Sequence, residues 1–300
     1  MHFFESYCEI IPEFYDFEES LKTPIPMHLR VNRLKSEPEE LVERLKGKGF
    51  HLQKAVEKDD CFFWAPAIRS PGNLMEYFLG HIHPQALTSC LVSIVLSPES
   101  GSYVLDMCAS PGGKTSHLAQ LMKNTGLIIA NEISPHRHIP LGNTLVRLGV
   151  LNTIVTAYQA QEFPLRQRFD YVLADVPCTG EGRFRKTKKS TNYKWDKGKA
   201  RLVGLQKKII VRGFDLLEDH GELIYTTCTY NPDENESVVD FLLKNREAEL
   251  LPIDVGFKHE QGLLGWKEER YDRRLQRAAR FYPHKIDSVG FFMARIRRRR

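Results

Sequence analysis

The sequence has no C-x-x-C pair, no G-x-G-x-x-G turn and no apolar run near the ~20 residues that span a bilayer. Each absence removes a class of protein. The six cysteines (Cys8, Cys61, Cys90, Cys108, Cys178 and Cys228) stand apart and have no His-rich partner segment, so no metal is expected. Without a secretion signal they read as reduced thiols. The missing dinucleotide fingerprint disfavours NAD. The opening MHFFESYCEI is acidic, unlike the basic start of a signal peptide. The expected location is cytoplasmic, with no membrane and no obligate protein partner.

What is present is basic charge in blocks. The net charge is only +5, but Arg183, Arg185, Lys186, Lys188 and Lys189 cluster, followed by Tyr193, Lys194, Trp195, Lys197 and Lys199. Arg270, Arg273, Arg274, Arg277 and Arg280 form a second block, and four arginines close the sequence. Basic residues interleaved with aromatic rings suit a polyanion with stacking bases, so nucleic acid is the expected partner. A single run of this kind is more often a solvated loop.

From about residue 101, short apolar strands alternate with amphipathic helices. Strands are expected over residues 103–107, 126–130, 153–155, 171–174 and 223–226. Helices are expected to run to about residue 121, over 135–148 and over 202–217 (closed by Gly221), with another opening at 231–234. Such alternation predicts an α/β fold with a parallel, doubly wound sheet. A late strand over 290–296 is expected near its edge. Residues 1–80 differ in character and read as a small α/β substrate-handling domain, with the catalytic domain over 81–300 and a joining helix over 85–96.

Ligands of such sheets sit beyond the C-terminal strand ends. The first end reads DMCASPGGKT (residues 106–115), whose glycines and helix start suit close backbone approach to a ligand. Cys108 stands where a phosphate-binding P-loop needs its first glycine, so an NTPase is a competing reading. At the second end, Glu132 suits a ribose diol and favours an adenosyl cofactor. Two later ends carry cysteines: DVPCTGEG (175–182) and TTCTYNPDENE (226–236).

With NEISPHR (131–137), LRVNRLK (29–35), RFYPH and GFFMARI, these motifs resemble the RNA cytosine-5 methyltransferases of the Sun-domain (RsmB and NSun) group over nearly all of residues 27–296. The resemblance implies a class I, Rossmann-like, S-adenosylmethionine-dependent methyltransferase sheet with a small N-terminal RNA-engaging domain. It implies Cys228 as covalent nucleophile, Cys178 as an aid to product release, Asp175 as a hydrogen-bond partner of the cytosine, and Lys114 at the same site. Lys114 would orient Asp175 or lower a thiol pKa; capping the Gly-rich turn is the alternative. Cys108, Ala109, Ser110, Pro111, Gly112, Gly113 and Lys114 would hold the methionine part of S-adenosylmethionine, with Glu132 on the ribose and Arg137 and Asp175 nearby. An ion pair to Glu132 is the other reading of Arg137. Gln159 stands where the family places an acid for the adenine. Ala86 and Arg295 also depart from the family pattern. The implied substrate is tRNA or rRNA, with tRNA favoured by the compact length; an idle RNA-binding relative is the remaining alternative.

Overall fold

The computed structural model describes residues 4–57, 59–187 and 199–299. Helix α1 (Phe14–Ser20) precedes strand β1 (His28–Val31), helix α2 (Pro38–Gly47), strands β2 (Gln53–Val56) and β3 (Asp59–Trp64), helix α3 (Met75–Phe78) and strand β4 (Ile82–Pro84). These strands form a four-stranded antiparallel sheet in the order β2-β3-β1-β4. Pro38 opens α2, and its Leu41 and Leu45 bury one face against Leu29, Val31 and Ile82. The small sheet thus continues through β4, past residue 80. The opening residues belong elsewhere: Phe4, Tyr7, Ile11 and Phe17 pack with Tyr230 and Tyr282.

Helix α4 (Leu87–Leu96) leads into the large sheet: β5 (Tyr103–Asp106), α5 (Gly113–Leu121), β6 (Leu127–Asn131), α6 (Pro135–Leu148), β7 (Thr153–Thr156) and β8 (Phe169–Asp175). There follow α7 (Phe184–Thr187), α8 (Lys199–Asp215), β9 (Leu217–Thr227), α9 (Glu236–Asn245), β10 (Ala248–Leu251) and β11 (Glu260–Gln261). A two-stranded ribbon, β12 (Gly265–Trp266) with β13 (Glu269–Arg270), precedes β14 (Ala279–Phe281), α10 (Pro283–Ile286) and β15 (Phe291–Arg298). The sheet is nine-stranded, in the order β11-β14-β15-β9-β8-β5-β6-β7, with β10 also on β15. Strands β5 to β9 are mutually parallel, and the remainder pair antiparallel.

Alternation of side chains builds two cores from one sheet. Leu105, Val172, Leu223 and Phe292 face α8 and α9, whereas Val104, Leu173, Ile224 and Met293 face α4 and α5. The same double burial corrects the placing of β15: it lies inside the sheet between β9 and β14, because both its faces are apolar. Two helix boundaries also differ from expectation. Helix α8 ends at Asp215, and Gly221 lies within β9 beside a shift in its register with β8. Helix α9 starts at Glu236, because the preceding Asn231, Glu234 and Asn235 hold loops together with their side chains.

The motif LRVNRLK joins the two sheets. Arg30 is fully buried and donates to Gln120 Oε1 (2.8 Å) and Ser116 Oγ (2.7 Å) on α5. Asn32 donates to the carbonyls of Gly80 and Leu148. Ligand atoms of Asp59, Cys90 and His117 gather within 4.8 Å nearby. The Arg30 charge acts on both Cys90 and His117 and opposes a cation there, while burial keeps Cys90 a thiol and His117 neutral.

Candidate active site

The C-terminal ends of β5, β6, β8 and β9 open onto one cavity of about 720 Å³. Into it the fold brings Cys108, Ala109, Ser110, Pro111, Gly113, Lys114, Glu132, Arg137, Asp175, Cys178 and Cys228. The turn after β5 is shaped by sequence: Gly112 has φ +95°, and a Cβ there would lie 3.1 Å from Leu141 and 3.2 Å from Thr144 of α6. Gly112 itself supports the turn without lining the cavity. The Ser110–Pro111 peptide is cis. Arg137 donates to the Ser110 carbonyl (2.7 Å), and the Ser110 hydroxyl donates to the Arg137 carbonyl (3.0 Å).

Glu132 is 2 % exposed. Its Oε1 accepts the Ser134 N–H (3.0 Å), and Oε2 lies 3.1 Å from Arg137 Nη1 as an ion pair but accepts no hydrogen bond. That buried acceptor facing the cavity fits a ribose diol, and the backbone around Cys108 is open to the same space, so the residues suit an adenosyl cofactor. Asn131, unnoticed in the sequence, ties three strand ends together. Its amide donates to the Met107 and Tyr158 carbonyls, and its Oδ1 accepts from Thr156 and the Tyr158 N–H. That arrangement puts Tyr158 and Ala160 at the cavity and leaves Gln159 exposed outside it, where Oε1 accepts from Gln161. The position expected of Gln159 is therefore filled by its neighbours.

At the other rim, Lys114 Nζ donates to Asp175 Oδ2 at 2.6 Å and lies 5.6 Å from the Phe291 ring. Burial opposes the lysine charge, but the Asp175 carboxylate outweighs it and raises the lysine pKa. Burial lifts Asp106 to about 7, despite a 2.7 Å hydrogen bond from Thr115. Cys178 and Cys228 approach to 3.4 Å between sulfurs. The Cys178 thiol as donor lowers the pKa of Cys228 against burial and Asp175, with help from the Arg183 and Lys114 charges. The same bond, with burial, holds Cys178 protonated. Of the two thiols, Cys228 is thus the more readily ionised.

A polar network fixes the two cysteine loops. Glu234 accepts from the Thr179 N–H (2.9 Å), Thr179 Oγ1 (2.7 Å), Asn231 Nδ2 (3.1 Å) and Gln206 Nε2 (3.0 Å). Glu181 accepts from Thr229 and Tyr7. Gly182 donates to the Cys228 carbonyl (2.8 Å), and a Cβ on it would sit 2.1 Å from the Gly290 carbonyl oxygen. Nothing but glycine allows that approach.

The basic blocks divide. Arg185 is buried, bonded to Thr23 and Pro24 and paired with Asp287, so it braces the fold. Arg280 is buried against Glu236, Arg274 pairs with Asp272, and Arg295 and Arg297 pair with Glu222. Arg270, Arg273 and Arg277 remain exposed. Lys188, Lys189, Tyr193, Lys194, Trp195, Lys197 and Arg300 lie outside the described residues, as do the side chains of Lys186 and Lys199. Arg183 lines the cavity, a role the sequence did not single out.

The fold is that of the Rossmann-like methyltransferases, and the residues at its cavity fit their S-adenosylmethionine cofactor. Residues 93–297 match the family model described as 16S rRNA methyltransferase RsmB/F, and the chain belongs to that family. It is 36% identical over 295 residues to a human 28S rRNA (cytosine(4447)-C(5))-methyltransferase, covering 96% of this chain and 36% of that protein. It is 35% identical over 288 residues to the tRNA (cytosine(49)-C(5))-methyltransferase of Pyrococcus abyssi, covering 95% and 92%. A solved methyltransferase homolog from Pyrococcus horikoshii superposes with TM-score 0.82 at 34% identity, over 94% of this chain and 90% of that one. The chain spans well under half the length of the eukaryotic rRNA relatives it matches. Nothing here supports the NTPase reading.

Proposed function

We propose that the chain methylates carbon 5 of a cytosine in RNA, with Cys228 as nucleophile. The observation that carries this is the 3.4 Å thiol pair at the cavity, in which a hydrogen bond from Cys178 lowers the pKa of Cys228. Carbon 5 of cytosine is a poor nucleophile. Addition of the Cys228 thiolate to carbon 6 makes the ring enamine-like and moves electron density to carbon 5. S-Adenosylmethionine supplies the methyl group, with Glu132 placed for its ribose and the turn from Cys108 to Lys114 for its methionine part. Asp175, oriented by Lys114, accepts from the exocyclic amine on the ring's polar edge, and the Lys114 ammonium beside it offsets the negative charge that addition delivers there. Loss of the carbon-5 proton to solvent, which Cys178 assists by hydrogen-bonding the departing Cys228 sulfur, re-forms the C5–C6 double bond. It expels Cys228 as a thiolate that regains its hydrogen bond from Cys178.

The target base must leave its stack to reach Cys228. The small sheet, set beside the cavity through β4, serves as the RNA-engaging part, together with the exposed Arg270, Arg273 and Arg277. We favour tRNA, since the match to the P. abyssi tRNA enzyme runs nearly end to end in both chains. The family description and the human relative support rRNA as the second reading. We favour the cytoplasm as the chain's location, in keeping with the bacterial and archaeal relatives named as RNA methyltransferases. The test is transfer of labelled methyl to tRNA and rRNA pools by wild type and Cys228→Ala, with nucleosides identified by mass spectrometry. The expected outcome is 5-methylcytosine with wild type alone; equal turnover by Cys228→Ala would overturn the nucleophile.

A further inference from the structure

Gln85 lies on the turn between β4 and α4, just before Ala86. Its residue is 8 % exposed, and its side-chain Nε2 and Oε1 are both buried without a hydrogen-bond partner. Only its backbone is engaged, donating to the His28 carbonyl. Leaving both ends of a buried amide unpaired is costly, and a folded chain keeps such a group where a ligand completes it. Gln85 forms the wall between the 720 Å³ cavity and a second one of about 480 Å³ that opens beside His28 and Arg185. It lines the same cavity as Lys114, Asp175 and Cys228. A Cβ on Gly113 would lie 3.9 Å from Gln85 Cδ, and the next residue, Lys114, holds Asp175.

The chemistry of the amide selects its ligand. It offers a donor beside an acceptor, so phosphate or carboxylate, which bring acceptors alone, would leave Oε1 unpaired. The polar edge of cytosine brings both, with O2 and N3 as acceptors and the exocyclic amine as donor. With carbon 6 at Cys228, that edge points away from the thiols, toward Asp175. We propose, on the basis of the functional reading above, that Gln85 grips this edge of the extruded cytosine beside Asp175. Thiolate addition at carbon 6 moves charge onto N3 and O2. The Gln85 N–H donor therefore binds the adduct more tightly than the free base and lowers the barrier as well as holding the substrate.

The test compares full-length wild type, Gln85→Met and Gln85→Glu. Its readouts are thermal midpoint without ligand, S-adenosylmethionine affinity by calorimetry, and methyl transfer to the RNA pool that wild type labels. Gln85→Met keeps the length of the side chain and removes both idle polar atoms. We expect its midpoint to be unchanged or raised, its cofactor affinity to stay within about twofold, and its kcat to fall by about 100-fold. Gln85→Glu should fall at least as far, since a carboxylate cannot donate to N3 or O2. Wild-type kcat in Gln85→Met would overturn the proposal, as would a lower midpoint with matching loss of cofactor binding, which would mark a structural role. A wild type that binds cofactor yet labels neither pool would sink the functional reading itself, a failure visible before any Gln85 variant is scored.

Discussion

The two rims of the cavity are built on opposite plans. At the ends of β8 and β9 most buried polar groups around the cysteines are engaged, with Gln206 Oε1 and the Tyr230 hydroxyl as exceptions. Glu234 alone accepts four hydrogen bonds, and Glu236 meets Arg280 through two bonds of 2.6 Å. At the ends of β4 and β6, Glu132 Oε2 and both amide atoms of Gln85 accept or donate nothing. The thiol rim is thus finished by folding, whereas the cofactor and base rim is finished by ligand. Preorganised donors at the reacting sulfurs cost no rearrangement during reaction, and idle groups at the binding wall reserve their hydrogen bonds for substrate.

If that contrast holds, damage to the thiol rim should unfold the chain, and damage to the binding wall should spare stability. The largest effect should come from Arg280→Met, which strands the buried Glu236 carboxylate. A loss of about 3–5 kcal/mol in denaturant unfolding is expected, and a loss under about 1 kcal/mol would break the comparison. Glu234→Ala leaves Thr179, Asn231 and Gln206 donors without their acceptor. It should cost about 2–3 kcal/mol and slow iodoacetamide alkylation of Cys228 as the two loops drift apart.

Glu132→Gln sharpens the contrast from the other side. Cofactor affinity should weaken by about 10- to 100-fold, the worth of charge-assisted hydrogen bonds to a diol, with stability unchanged on the same denaturant scale. Equal losses in both would merge the two rims into one. Next comes the thiol pair. Cys178→Ala removes the donor that lowers the Cys228 pKa, so the thiolate forms later as pH rises. The pH profile of Cys228 alkylation should move upward; an unmoved profile would assign the lowering to Arg183 and Lys114. The smallest effect belongs to Arg270→Ala with Arg273→Ala. These exposed charges should weaken RNA binding a few-fold and reduce its salt slope by up to about 2.

Local patterns were legible where local physics decides. Pro135 and the Leu141, Leu145, Leu148 spacing marked α6 at its observed bounds, and the apolar runs marked the parallel strands. The Gly-rich turn was legible because Gly112 needs a positive φ beside α6. Charge runs misled, since Arg185, Arg280 and Arg297 have partners far away in sequence: Asp287, Glu236 and Glu222. Gln159 misled for a related reason, as the Asn131 side chain sets which neighbouring residue faces inward.

The sequence by itself determined the alternation of strands and helices, the turn after β5 and the chemical identity of the two thiols, because each depends on residues adjacent in the chain. Only the tertiary structure decided that Cys178 and Cys228 meet at 3.4 Å, that β15 runs inside the sheet, and that Gln85 lines the cavity while both its polar side-chain atoms are buried without partners. Those facts depend on which distant segments share a sheet and a wall, and side-chain pairing across such distances leaves no periodic trace along the chain.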